Sequence, residues 1–277
     1  MRRHSHRSGN PVKPTSWKSR FGRALNLPHD LGVDAALVAS AWQALVSRSA
    51  GHPECPQLTA SLFFAVWAIY LADRIWDTWR DASHAQRHRF ARRHRIVLGL
   101  LAAASLLLAA ASAATALPKV SPVTWVPLGL VAVLCACYYF VRAGFPEWER
   151  GRAVVVGGVF AAGTLLAVPG LGAGLLCWLA LALGALFTAN VRICIWSEAC
   201  RDRPPTLFRL LVLSALGFLA AAIGGHWQIA LAGFLALACL RVIFSERQRL
   251  RPENLSTAAD AALFIPPLIV LAGRFGS

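Results

Sequence analysis

The chain has 277 residues, of which 57% are hydrophobic and 15% charged, with a mean hydropathy of +0.53 and a net charge of +15. Soluble domains carry roughly 25% charged residues. This composition therefore excludes a disordered chain, a disulfide-stapled mini-protein and an ordinary soluble enzyme, and points to a polytopic membrane protein. The positive balance would also suit a nucleic-acid binder, so the placement of the charges has to decide.

Residues 1–30 are polar and basic. Arg2 and Arg3 form a twin-arginine pair, but no apolar stretch follows closely, so the segment reads as a cytoplasmic tail rather than a cleaved signal peptide. Residues 31–277 read as one membrane domain. A spanning helix needs roughly 20 mostly apolar residues. Nine candidates occur, near 33–47, 58–77, 96–116, 123–142, 153–171, 173–196, 206–224, 226–244 and 257–273. Gly and Pro separate them, as at Gly51, Pro118, Pro146, Pro169, Pro204, Gly224 and Pro252. The first span is the least apolar, because it carries Asp34 and Gln43.

The basic residues set an orientation. With nine spans and a cytoplasmic N-terminus, 25 of the 28 Lys and Arg fall on the cytoplasmic side. Arg48, Lys119 and Arg274 are the three exceptions. Shifting the count by one span destroys this asymmetry. The charge is thus topological, nucleic acid is not an expected partner, and the C-terminus belongs on the opposite side of the cell (inner) membrane.

The scarce acids carry the chemistry. Span two ends in Tyr70-Leu71-Ala72-Asp73-Arg74-Ile75-Trp76-Asp77-Thr78-Trp79-Arg80-Asp81. Asp73, Asp77 and Asp81 are four residues apart and share one helix face. They repel one another, and they stand at the negative end of a helix dipole. A cation relieves both penalties, and hard oxygen ligands of this kind suit Mg²⁺. The plainer reading pairs these acids with Arg74, Arg80 and the arginines of 87–95.

Span six repeats the pattern with Asn190, Cys194, Glu198 and Asp202, again four apart and at the cytoplasmic end. Asn190 and Arg192 lie deeper, where polar groups are costly and usually face a cavity. Two facing acidic clusters would chelate Mg²⁺ around a diphosphate. The plainer reading leaves Glu198 and Asp202 as solvated charges beside Arg201 and Arg203.

In these features the chain resembles the UbiA family of intramembrane prenyltransferases. That family has nine transmembrane helices, a first motif of the form NDxxDxxxD after span two and a second of the form DxxxD after span six. Asp77 and Asp81 match the later acids of the first motif, with Asp73 where Asn is usual and Arg74 where Asp is frequent. Glu198 stands for the first acid of the second motif, and Asp202 matches the other. The family's RPxxxG-like stretch is absent from the 87–95 loop, and Arg203-Pro204-Pro205-Thr206 replaces its Gly-x-Lys-Thr element. The description that fits is a divergent UbiA-like branch.

The resemblance implies an all-α, nine-helix fold and Mg²⁺-dependent transfer of an isoprenyl group from a prenyl diphosphate to a lipid-soluble acceptor. Asp73, Asp77, Asp81, Glu198 and Asp202 would hold the metal. Asn190, Arg203, Tyr70 and Asp260 would bind substrate, the last of these from the first turns of span nine. Trp42, Trp67, Tyr70, Tyr138 and Tyr139 would line an apolar tunnel open to membrane lipid. Asp260 also has a plain role as an acid at a helix start, and Asp34 shares that ambiguity. Two other functions fit the same acids: a catalytically degenerate, lipid-binding relative, and a cation-coupled transporter. Transporter sites lie near the bilayer midplane, whereas both ladders sit at its rim. The seven cysteines form no CxxC pair and read as small apolar fillers.

Overall fold

The computed structural model describes residues 31–51, 55–80, 86–116, 149–166, 168, 171–198, 207–250 and 252–273. Among these residues every regular element is an α-helix. They are α1 (Val33–Ser49), α2 (Pro56–Arg80), α3 (Gln86–Arg93), α4 (Arg95–Ala116), α5 (Glu149–Leu166), α6 (Ala173–Glu198), α7 (Phe208–Ile223), α8 (Trp227–Ser245) and α9 (Pro252–Ala272). Eight of these helices fall where the sequence predicts spans. The predicted fourth span, 123–142, lies outside the described residues, as does the tail 1–30.

Five helices, α2, α4, α6, α8 and α9, are long and apolar enough to cross a membrane, and α5 and α7 contain shorter apolar helices. The exposed surface has the same character. On α4, Ile96, Leu100 and Leu107 are about 70% exposed (72%, 68% and 73%). A water-soluble monomer rarely exposes large contiguous apolar patches, whereas lipid solvates such side chains without penalty. This is an integral membrane protein.

Helix α1 shows why its composition is the least apolar. It packs against α2, α5, α8 and α9, and Trp42, Leu45 and Val46 on it are fully buried. Protein surrounds most of it, which accommodates polar groups such as Asp34, whose carboxylate accepts from the Ala35 N–H. It runs parallel to α9. Arg48 donates from Nη1 to the Leu271 carbonyl (2.9 Å), and the Trp42 indole donates to the Leu263 carbonyl (2.9 Å). The second bond has a local cause. Pro266 and Pro267 lie inside α9, and a proline at 267 has no N–H for the carbonyl four residues earlier. Trp42 supplies that missing donor.

Small residues let the helices approach closely, as membrane bundles require. A Cβ on Gly157 of α5 would collide with Thr188 and the Gly184 carbonyl of α6. A Cβ on Gly217 of α7 would fall 2.6 Å from that of Ala182 on α6.

The basic segment 87–95 is not a loop. Residues 86–93 form α3, and α4 begins at Arg95. Ala91 is buried with Leu71 and Leu98, Phe90 packs on that cluster, and Arg92 and Arg93 are exposed. Such an amphipathic helix suits an interface between apolar core and headgroups.

Candidate functional site

The last three turns of α2 bring three polar side chains to one end of the bundle. Asp73 is bridged by Arg152 in the first turn of α5, with Nη2 donating to Oδ2 at 2.7 Å. Both side chains are about one-fifth exposed (22% and 23%). A helix N-terminus disfavours a cation, so the acid opposite offsets an unfavourable position for Arg152. Arg74 is 4% exposed, and its guanidinium lies over the Tyr70 ring, 5.2 Å from the centroid. That is within cation–π range. Arg74 also takes part in further polar or electrostatic contacts, as a cation inside a membrane bundle must.

Gly32, which caps α1 with a φ of +68°, also packs on the Tyr70 ring. A Cβ at Gly32 would run into the tyrosine ring. Only glycine meets both conditions, the left-handed backbone and the close approach. The hydroxyl of Tyr70 lies in the electrostatic neighbourhood of Asp34, Arg74, Cys194 and Asp260. Helix α1 packs on both α2 and α9, and α9 packs on α6.

From α6, Asn190 Nδ2 donates to Asp260 Oδ1 of α9 at 2.7 Å. Asp260 is 6% exposed. A carboxylate accepts hydrogen bonds, so the amide nitrogen faces it and the amide oxygen points away. Among the described residues no donor reaches that buried Asn190 Oδ1. Leaving such an atom unsatisfied costs about 1–3 kcal/mol.

The placement of Asp260 corrects one expectation. Helix α9 begins at Pro252, so Asp260 is in its third turn, beyond the range of the helix-terminus effect. A second correction concerns Trp42. It is fully buried, stacked on Phe218 at 5.9 Å between centroids and bonded to Leu263, so it belongs to the core and lines no tunnel. Trp67 is half-buried, with its indole donating to the Leu31 carbonyl (3.0 Å). Tyr138 and Tyr139 lie outside the described residues.

Of the five expected metal ligands, the described residues include the side chain of Asp73 alone. Asp81, Asp202 and Arg203 lie outside them, and the backbone alone of Asp77 and Glu198 is described, each within its helix. Among the described residues no three His, Cys, Asp or Glu side chains group to hold a metal. The helical backbone of α2 keeps Asp73 and Asp77 on one face. Glu198 is the last residue of α6, eight residues beyond Asn190.

The sequence reading missed two contributors. Arg152 has no role in the expected site, and its position in the first turn of α5 is the signal that singles it out. Cys194 was read as one rung of the second ladder, and it joins the surroundings of Tyr70. Comparison with protein families, with curated proteins and with solved structures returns no match.

Proposed function

We propose that this protein is an integral-membrane prenyltransferase of the UbiA-like kind. In this reading nine helices span the membrane, the N-terminus is cytoplasmic, and an isoprenyl group passes from a prenyl diphosphate to a lipid-soluble acceptor with Mg²⁺. The observation that carries the reading is a pair of polar contacts inside an apolar bundle: Asn190, the inner rung of the second ladder, bonds to Asp260 of α9, and Asp73, the inner rung of the first, bonds to Arg152 of α5. These contacts link the two ladders through α5, which packs on α6 and is bridged to α2. Asp77 follows Tyr70 on α2, and Glu198 ends α6 on the same side; Asp81 is next in sequence after the last residue of α2.

The donor chemistry fits Mg²⁺, since the ladders offer hard carboxylate oxygens. When bound, the metal would neutralise the leaving diphosphate as a Lewis acid. Asp73 is engaged by Arg152, which leaves Asp77, Asp81, Glu198 and Asp202 as the main ligand set. Arg203 would offer its guanidinium to phosphate oxygens. Arg74 and Arg152 add fixed positive charge near the site, where preorganised cations favour developing anionic charge.

The test uses the purified full chain in lipid nanodiscs. It is given labelled geranyl, farnesyl or geranylgeranyl diphosphate with a membrane lipid extract. The expected result is diphosphate release that requires Mg²⁺ and yields a prenylated lipid product. Absence of Mg²⁺-dependent turnover with all three donors overturns the proposal.

A further inference from the structure

We propose that the outer face of α3 and α4 holds one anionic phospholipid, its headgroup on Arg92, Arg93 and Arg95 and an acyl chain laid along α4. The two helices present a single surface. The His94 N–H donates to the Phe90 carbonyl and the Leu98 N–H to the His94 carbonyl, so hydrogen bonds run across the junction between them. Ala91, Leu98, Ser105 and Ala109 are all buried, and spacings of seven and four residues mark one helix face. The opposite face is therefore continuous as well. It begins at Arg92 and Arg93, passes through Ile96, Leu100 and Ala103, and reaches Leu107, all of them exposed.

The chemistry along this face changes once, from cationic to aliphatic. Five arginines fall between residues 87 and 95, and no Asp or Glu occurs between Asp81 and Glu147. Among the described residues no acid is paired with Arg93 or Arg95. Guanidinium groups bind phosphate oxygens with paired, charge-assisted hydrogen bonds. Beyond Arg95 the exposed wall is hydrocarbon. From Ile96 to Leu107 it runs for roughly 16 Å of helix, about the depth of one leaflet of a bilayer core. Exposed Ala103 and Ala104 leave a shallow recess between Leu100 and Leu107. A cationic head above one leaflet of apolar wall fits a lipid. A free anion would gain nothing from α4. On the inner side Ala91 and Leu98 pack with Leu71 of α2, so a lipid lying across the junction holds α3 against that helix.

No residue of the proposed metal site takes part, so this inference stands apart from the transferase reading. The test is native mass spectrometry of the purified full chain in detergent with EDTA, titrated with dioleoyl phosphatidylglycerol or dioleoyl phosphatidylcholine. Wild type is expected to take its first phosphatidylglycerol at least tenfold more tightly than its first phosphatidylcholine, as several basic contacts to one headgroup imply. Arg92→Gln with Arg93→Gln is expected to reduce that preference to within about twofold. Arg209→Gln with Arg241→Gln removes the same amount of exposed charge from α7 and α8 and is expected to leave the preference intact. Leu100→Asn is expected to weaken both lipids alike, and millimolar inorganic phosphate is expected to displace neither. Should the α3 double variant fail to fold, Arg93→Gln alone is expected to lower the preference several-fold. Equal affinity for the two lipids in wild type, displacement by inorganic phosphate, or an equal loss in the α3 variants and the α7–α8 control overturns the site.

Discussion

Arg152 donates from the first turn of α5 to Asp73 of α2 at 2.7 Å, joining two residues 79 positions apart. The pair is partly exposed, which places its worth between that of a surface bridge and that of a buried one. Asp73→Asn or Arg152→Gln should each cost about 1–2 kcal/mol. The reversed pair, Asp73→Arg with Arg152→Asp, should recover part of that loss without recovering turnover. Thermal unfolding in detergent measures the first effect and diphosphate release the second. Full turnover in the reversed pair would show that neither residue matters to the chemistry.

The outer rungs of the ladders should behave oppositely. Asp77→Asn and Asp202→Asn keep side-chain size but remove an anionic ligand. Diphosphate turnover should fall by at least about 100-fold, in keeping with the removal of a group that stabilises charge in the transition state. Protein abundance should hold or rise, because repulsion at a negative helix end is relieved. Normal activity with a lowered melting temperature in both variants would assign the acids to structural ion pairs instead.

Trp42 and Pro267 should be energetically coupled. Trp42→Phe strands the Leu263 carbonyl, at about 1–3 kcal/mol. With Pro267→Ala already present, a backbone N–H is available for that carbonyl, and the same substitution should cost markedly less. A double-mutant cycle on unfolding reads the difference directly. Strict additivity would mean that the indole hydrogen bond has no such role.

Orientation is open to a simpler measurement. Reporter fusions after residue 88 should be cytoplasmic, and fusions after Lys119 should be on the far side. The distribution of Lys and Arg along the chain motivates both expectations. A fusion at 88 found outside the cytoplasm would reverse the assignment of every span.

The helices were legible because Gly and Pro punctuate long apolar runs, and Gly51 and Gly224 do lie just beyond α1 and α7. Helix α3 was hidden. Its apolar positions, Phe90 and Ala91, sit among charges in eight residues, too few for a clear period. The apolar run suggests a start near 257, five residues inside α9. Pro252 at the first helical position is the truer signal. At the site, local spacing gave the ladders, since helix faces are written in the sequence. The Asn190–Asp260 bond and the Arg152–Asp73 bridge join residues 70 and 79 positions apart. Nothing in a single sequence records which helices become neighbours. Trp42 was misjudged for the same reason, because its role depends on prolines more than 200 residues away.

The contact at Gly157 has a mechanical consequence. Where α5 and α6 meet there, a Cβ would strike the Thr188 hydroxyl, the Thr188 amide and the Gly184 carbonyl, so the helices pack too closely for any side chain at position 157. Arg152 is five residues from that contact on α5, and Asn190 is two residues beyond Thr188 on α6. The two side chains therefore ride on one tightly packed pair of helices. Their partners, Asp73 and Asp260, lie on α2 and α9, so each bond ties this helix pair to a different neighbour.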